Sequence, residues 1–440
     1  MTKLSKNTLA LLGGTKAIKT DPGDVFTWPI VTKADEDAVL DVLRRGAMSG
    51  NEVTKEFEQE FAAWLGMKLA LAFPNGTDAL RSVMWACGVG AGDEVICPSM
   101  TYWASCTPAL TLGAAVNFAD IQPGSLCIDP GDIEHRIGRR TKAIIVVHYA
   151  GHPCDMDPIM KIARKHKVKV IEDVSHAHGA LYKGRMLGTI GDVGAMSCMS
   201  GKAFPIGEGG MMVTNDRAIY ERCISYGFYE RTGAPSRFNA PDAQVTMKEL
   251  KPYIGVPMGG YKHRLNQMAS AMGRVQLKSY PKRMKDIQNG MNRFWDLLDG
   301  VPGIRAHRPA AGSGSTMGGW YAPRGLYRGK ELGGLSCARF CEAVRAEGPL
   351  GVCWPGANFP LHLHGVFQTA DIFRMGKPTM ISFGQRDVRQ GPGTLPVAEN
   401  VAELALGIPW FKHDRPKLIK EYAAAYRKVA ENADQLLEKT

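Results

Sequence analysis

The chain has 440 residues, 45% of them hydrophobic and 22% charged, a balance that excludes a disordered or collagen-like polymer and a length that predicts two packed domains. Glycine is in excess, 50 of 440 residues without a G-X-Y period, and is expected at tight turns and close backbone approaches. The formal net charge of +11 favours anionic partners in general but selects none of them.

In chain order, the N-terminal MTKLSKNTLALLGG carries only a short apolar run with no cleavage pattern behind it. No stretch approaches the ~18 apolar residues of a membrane span, so a soluble cytoplasmic protein is expected. From Leu69 short β-rich runs alternate with helical patterns, the signature of a parallel sheet with crossover helices. Strands are expected at Leu69 to Phe73, Glu94 to Cys97, Ala115 to Ala119, Ala143 to His148, Val168 to Asp173, Gly194 to Cys198 and Gly210 to Val213. Helices are expected at Thr77 to Ala86, Tyr102 to Leu112, Cys154 to His166 and Asp216 to Tyr226. After Gly260 the pattern turns to long helical segments that lead out of the first domain. Beyond Val301 come short Gly- and Pro-rich segments, then an amphipathic helix from Arg415 to about Lys439, which fits a smaller C-terminal α+β domain. The ten cysteines contain no C-x-x-C and are too sparse for a disulfide scaffold, so free thiols are expected.

Ligands of open α/β sheets bind at the carboxyl ends of the strands, so the residues just after each strand bear the chemistry. After the first strand, Pro74-Asn75-Gly76-Thr77-Asp78 turns into a helix whose unpaired N–H groups suit a phosphate; Thr77 or Asp78 acting only as a cap is the alternative. The fifth strand ends in VIEDVSHAHG, gathering Glu172, Asp173, His176 and His178. A carboxylate there is costly without a cationic partner. The two histidines lack a second ligand cluster, and no metal is expected. Ser197 ends the next strand, and Lys202 follows in the small-residue loop MSGKAFPIGEGG. A lysine between Gly201 and Ala203, desolvated, would carry an amine nucleophilic toward an aldehyde. A strand-end acid with such a lysine is the pair a pyridoxal phosphate enzyme needs: the lysine for a Schiff base, the acid to keep the pyridine nitrogen protonated.

From Leu11 to the end, the chain is similar to the sugar aminotransferase family named DegT/DnrJ/EryC1/StrS. The stretches that carry the similarity are LLGGTKAI with WPIVTKADEDAV, SGNEVTKEFEQEFAAWLG, PNGTDAL, GAGDEVICPSMTYWAS, VVHYAGHPCDMDPI, VIEDVSHAHGA, GTIGDVGAMS, GKAFPIGEGGMMVTND, GYKHRL and FPLHLH. The resemblance implies an α/β protein of the aspartate-aminotransferase fold, type I of the pyridoxal phosphate enzymes. An N-terminal arm and large mixed-sheet domain would occupy residues 1–290, and a small C-terminal α+β domain residues 291–440. It also implies pyridoxal 5'-phosphate as cofactor, Lys202 as the catalytic Schiff-base lysine, Asp173 against the pyridine nitrogen and His176 beside the ring hydroxyl. Tyr102 would stack on the ring, and Gly76, Thr77 and Ser197 would hold the phosphate.

The family's G-Y-N-x-R segment departs here to Gly260-Tyr261-Lys262-His263-Arg264. Lys262 would take the place of an asparagine that reaches the neighbouring subunit's phosphate, in a homodimer with a shared site. In FPLHLH, His362 or His364 would touch substrate. The implied activity moves an amino group from glutamate or glutamine to a keto-sugar or keto-cyclitol. Lysine at position 202 speaks against the family's dehydratase branch, where histidine replaces it, although an elimination-type enzyme on a sugar stays an alternative. The LLGGTKAI…WP pattern and GEGG lean toward the branch of inosose aminotransferases and aminohydroxybenzoate synthase. A non-catalytic regulator would be expected to have lost Lys202 or Asp173, and both are present. A nucleic-acid binder would show a basic stripe with interleaved aromatics, and the sequence has none.

Overall fold

The computed structural model describes residues 8–232, 245–349, 351, 353–384 and 386–437. Its centre is a seven-stranded sheet made of β1 (Leu69–Phe73), β2 (Glu94–Pro98), β3 (Ala115–Ala119), β4 (Thr141–Val147), β5 (Lys169–Asp173), β8 (Val193–Ser197) and β9 (Gly210–Thr214), in the order β1-β9-β8-β5-β4-β2-β3. The two-stranded hairpin β6 (Leu181–Tyr182) and β7 (Arg185–Met186) lies between β5 and β8 in sequence. The strands are buried nearly throughout and most are largely apolar, as expected of a sheet covered on both faces.

One strand runs against the others. The alternating pattern reads as a parallel sheet and the family resemblance as a mixed one; the sheet is mixed, because β9 is antiparallel to both β1 and β8. The connection from Ser197 to Gly210 contains no crossover helix, and a parallel return needs a crossover of a dozen or more residues, usually helical. That same connection carries Lys202.

Helices α1 (Lys33–Arg44) and α2 (Glu52–Leu65) precede the sheet, and α3 (Gly76–Ala86), α4 (Met156–His166) and α5 (Arg217–Gly227) pack around it. The 31-residue α6 (Gln267–Leu297) leads out of this unit, so residue 290 falls within a continuous helix. A second core lies beyond it, built on a three-stranded antiparallel sheet of β10 (Ile304–Ala306), β11 (Arg324–Tyr327) and β12 (Ala405–Gly407) with α7 (Cys337–Ala346) and α8 (Pro416–Glu431). Helix α8 ends at Glu431, short of the expected Lys439, which lies outside the described residues. Leu9, Ile18 and Val25 of the N-terminal arm belong to the second core. The fully buried Glu347 holds them there, accepting from the Ala10 and Ala17 amides at 2.8 and 3.0 Å while Lys428 approaches to 2.9 Å.

Residues 361–384 and 386–401 return to the first core and cover its outer strand β3. The Gln390 side-chain amide pairs with both backbone groups of Phe118 at 2.9 and 2.7 Å, and Phe367 meets the Phe118 ring edge-on at 4.8 Å. Asp120 accepts from the Val397 and Ala398 amides. An edge strand with free N–H and C=O groups is thereby closed to further pairing.

The loop after β8 is fixed from behind. Phe204, fully buried, packs against Phe57, Phe61, Trp64 and Tyr280 at centroid distances of 5.4 to 6.4 Å. Such a cluster contributes dispersion and burial together with favourable ring geometry. Phe204→Ala should lower stability by about 3–5 kcal/mol, read as a fall in the guanidinium unfolding midpoint; an unchanged midpoint would show that the cluster does not anchor the loop.

Candidate active site

The carboxyl ends of the parallel strands open into a cavity of about 600 Å³. Its lining includes Asn75, Gly76 and Thr77 from the start of α3, Tyr102 and Ser105 after β2, and Tyr149 after β4. Asp173, Ser175 and His176 follow from β5, then Ser197 and Lys202, with Tyr321, Arg324 and Asn358 from the second half of the chain.

At the start of α3 the cap is Asn75, whose Oδ1 accepts from the Asp78 amide at 2.8 Å. Neither Thr77 nor Asp78 caps this helix, and the Gly76 and Thr77 amides have no acceptor among the described residues. They are the positive end of an eleven-residue helix, aimed at the cavity, which suits a phosphate. Glycine is required at position 76 because a Cβ there would lie 2.7 Å from Ser197 Cα. Gly210 closes the same crossing, since its Cβ would lie 2.4 Å from the Asn75 carbonyl oxygen.

The two acids at the end of β5 part company because successive side chains face opposite sides of a sheet. Glu172 turns away from the cavity and is fully buried. Burial would raise its pKa, but His148 at 3.1 Å and the amides of Gly188, Ile190 and Gly191 hold it below the ordinary range. Asp173 faces the cavity, accepting from Ser105 Oγ at 2.7 Å and from the Ser175 amide at 3.0 Å. Lys202 is 7% exposed and has no carboxylate within ion-pair distance among the described residues. Burial pulls its pKa down from 10.5 to about 8, against a smaller upward pull from Asp173 and Cys198. Its Nζ sits 4.2 Å from the centre of the Tyr321 ring, and its backbone carbonyl accepts from the Trp28 indole at 3.0 Å.

His176 is buried beside Tyr149 and Tyr321, with Nδ1 accepting from the Ala150 amide at 3.3 Å. Burial, with the charges of Lys202 and Arg324, holds its pKa well below the ordinary value, so the ring is neutral at pH 7. Three non-glycine residues around these rings, Ala150, Trp320 and Ala322, have left-handed backbones with φ of 52°, 55° and 48°. Such positions cost about 1–3 kcal/mol each and persist where the surroundings over-determine them. Two of the three flank Tyr321.

Of the site residues expected from the sequence, Gly76, Thr77, Tyr102, Asp173, His176, Ser197 and Lys202 line this one cavity. Lys262 is exposed and lies outside the lining. His362 is fully buried and also outside it, sharing hydrogen bonds with Ser99 Oγ at 2.6 Å and Glu399 Oε1 at 3.1 Å. His364 accepts from the Val366 amide at the start of a four-residue helix, away from the cavity. Sequence reasoning did not single out Ser105 or Ser175, which sit inside quoted motifs, nor Tyr321, Arg324 and Asn358, which lie in segments without periodic pattern.

The DegT/DnrJ/EryC1/StrS aminotransferase family model matches residues 29–345. The chain belongs to that family. It is similar to the L-glutamine:2-deoxy-scyllo-inosose aminotransferase of Streptoalloteichus tenebrarius, 32% identical over 371 residues, 82% of this chain and 84% of that protein. The GDP-perosamine synthase of Caulobacter vibrioides is 46% identical over 161 residues, 37% of this chain and 43% of its own. Among solved structures, an aminotransferase from Psychrobacter cryohalolentis superposes with a TM-score of 0.78 at 30% identity, covering 93% of this chain and 99% of that one. The protein is a pyridoxal-phosphate-dependent aminotransferase with the fold of that family. No helix among the described residues is long and apolar enough to cross a membrane.

The residues present fit the cofactor on chemical grounds: unpaired helix-start amides for its phosphate, a desolvated lysine for its aldehyde and a hydrogen-bonded acid at a strand end. Because the free amine is the nucleophile, the rate at which the apoprotein takes up pyridoxal phosphate should rise with pH to a midpoint near 8, the value given by burial of Lys202. Stopped-flow absorbance checks it, and a midpoint near 10.5, the ordinary lysine value, would remove the desolvation argument. Gly76→Ala should weaken cofactor binding by about tenfold or more through loss of the helix-start cradle, measured as the dissociation constant from fluorescence titration.

Proposed function

We propose that this enzyme transfers the amino group of L-glutamine or L-glutamate to the keto carbon of a cyclitol or nucleotide-linked sugar, with Lys202 as its catalytic base. The observation that carries the reading is the juxtaposition of a buried, low-pKa Lys202 with Asp173 on the floor of a cavity whose rim holds unpaired helix-start amides. Glutamine is favoured as donor and a cyclitol as acceptor by the similarity to the Streptoalloteichus tenebrarius enzyme, which spans most of both chains; the shorter match to a GDP-perosamine synthase keeps the nucleotide-sugar acceptor as the second reading.

The cofactor, when bound, supplies the electron sink that makes the donor's α-hydrogen acidic. The work of the chain's own residues follows from their positions. Gly76, Thr77 and Ser197 hold the phosphate end, and Tyr102, 49% exposed at the mouth, covers a ring face. Asp173, oriented by Ser105 and the Ser175 amide, holds the proton on the ring nitrogen. His176, neutral and with Nδ1 occupied by Ala150, sits beside the ring hydroxyl. Lys202, once free of the cofactor, takes the donor's α-proton at Nζ and returns it one step later; a base with pKa about 8 is well matched to proton transfer near neutrality.

We further propose a homodimer in the cytoplasm, in which the exposed Lys262 reaches the neighbouring subunit's phosphate site, and two folding units meeting within α6. His362 has both ring nitrogens engaged away from the cavity, which supports a packing role for it over substrate contact.

The purified enzyme should show a visible absorbance band that L-glutamine bleaches. Lys202→Ala should remove the normal band and lower turnover by at least about 10³-fold, in the range of a lost general base. A wild-type protein without the band, or a variant with the band and turnover intact, would overturn the assignment. Asp173→Asn should keep the cofactor but slow the donor step by about 10²-fold or more, read by stopped-flow.

A further inference from the structure

We propose that a groove between α6 and the segment that follows β12 is a second anion site, which takes the dianionic phosphate group of a small molecule. Positions 282, 285 and 286 share one face of α6 at helical spacing, and Lys282, Lys285 and Asp286 line a groove of about 430 Å³. Arg283, Lys412 and His413 join them. The volume suits a small molecule. No residue of this lining belongs to the Lys202 cavity. Trp28 stands between the two: its indole N–H holds the Lys202 carbonyl, while Arg283 and Lys412 lie 5.6 and 5.5 Å from its ring.

Lys412 is the residue that points to a ligand. It is 4% exposed, and no carboxylate lies within ion-pair distance of its Nζ among the described residues. The Nζ donates to the Trp410 carbonyl at 3.2 Å and lies 3.3 Å from the centre of the Trp410 ring. An ammonium has three donors, so this contact leaves capacity for an acceptor in the groove. Burial pulls its pKa from 10.5 down to about 6, so the charge is held at a cost that a bound anion would offset.

The groups around it are nearly all of one sign. Lys282, Arg283 and Lys285 form no ion pair among the described residues. Asp286, the single carboxylate of the lining, is already engaged by His413 Nδ1 and by the Asp414 amide, both at 3.3 Å. Arg283 is fixed by donating to Gln276 and to the Ile30 carbonyl at 3.4 Å. Three cations and a fourth amine that an anion would protonate call for more than one negative charge, and a phosphate group offers two with several acceptor oxygens. A membrane surface or nucleic-acid backbone would meet the exposed Lys282 and Lys285 but not the buried Lys412. A compact phosphate ester reaches all of them.

Sulfate is the probe, because it stays dianionic across the working pH range, and the holoenzyme is the sample, because its cofactor fills the helix-start phosphate site. Binding should change the fluorescence of Trp28 and Trp410 and, at about pH 7.5 in calorimetry, take up about one proton as Lys412 recovers its charge. The proton count is read on wild type and depends on no variant. Lys412→Met should weaken sulfate by at least about 30-fold, the loss of one partner of a desolvated charge pair. Lys282→Gln and Lys285→Gln, at exposed positions, should each cost about threefold at most. Without sulfate, Lys412→Met should unfold at a urea midpoint no lower than wild type, since an unpaired buried charge gives way to apolar volume. Glycerol 3-phosphate should displace sulfate, and glycerol should not. Sulfate affinity untouched by Lys412→Met, equal small losses in all three variants, or binding without proton uptake would overturn the site. Displacement by an oligonucleotide or anionic vesicles but not by glycerol 3-phosphate would overturn the small-molecule assignment.

Discussion

A lysine ammonium removed from water without a carboxylate at contact distance sets the terms for the rest of this molecule. Keeping Lys202 in that state requires a loop that cannot relax toward solvent. The chain achieves this by burying Phe204, two residues on, among four aromatic rings, and by tying the Lys202 carbonyl to Trp28 of the N-terminal arm. The arm in turn is fastened to the far core through Glu347. The reactivity of one amine is thus maintained by contacts from both ends of the chain.

Much of this was legible in the sequence, and for a definite reason. Most of the seven large strands are short, largely apolar runs bounded by turn residues, and β1 and β3 fall at the expected residues. The cavity residues that follow those strands were findable because strand ends are where such sheets bind ligands. The reversed direction of β9 was not readable from periodicity, since a strand has the same pattern in either direction. The helix expected from Tyr102 to Leu112 is broken at Cys106 into a short 3-10 turn and a five-residue helix, where Pro108 sets the new start. Helix α2 lies within, and α1 begins within, motifs that carried the family resemblance, but neither was read as an element.

The second half of the chain was harder because its contributions are made by folding back. Tyr321 and Arg324 reach the cavity from the start of a short strand of the smaller sheet and the residues before it, and Asn358 comes from a loop. No local pattern announces that a residue will cross from one core to the cavity of another. The histidines of FPLHLH illustrate the converse: a motif near the cavity mouth in sequence logic, with side chains committed to Ser99, Glu399 and a helix cap.

The crossing of residues 76, 197 and 210 has a bearing on how the enzyme matures. Three passes of the chain, separated by more than a hundred residues between the first and the others, meet at backbone contact, and only there do the helix-start amides acquire their walls. A phosphate pocket assembled in this way does not exist on any isolated fragment. It comes into being when β9 inserts between β1 and β8, the step with the largest loop-closure cost in the sheet. A cofactor held there binds only the assembled sheet, and by mass action it stabilises that state.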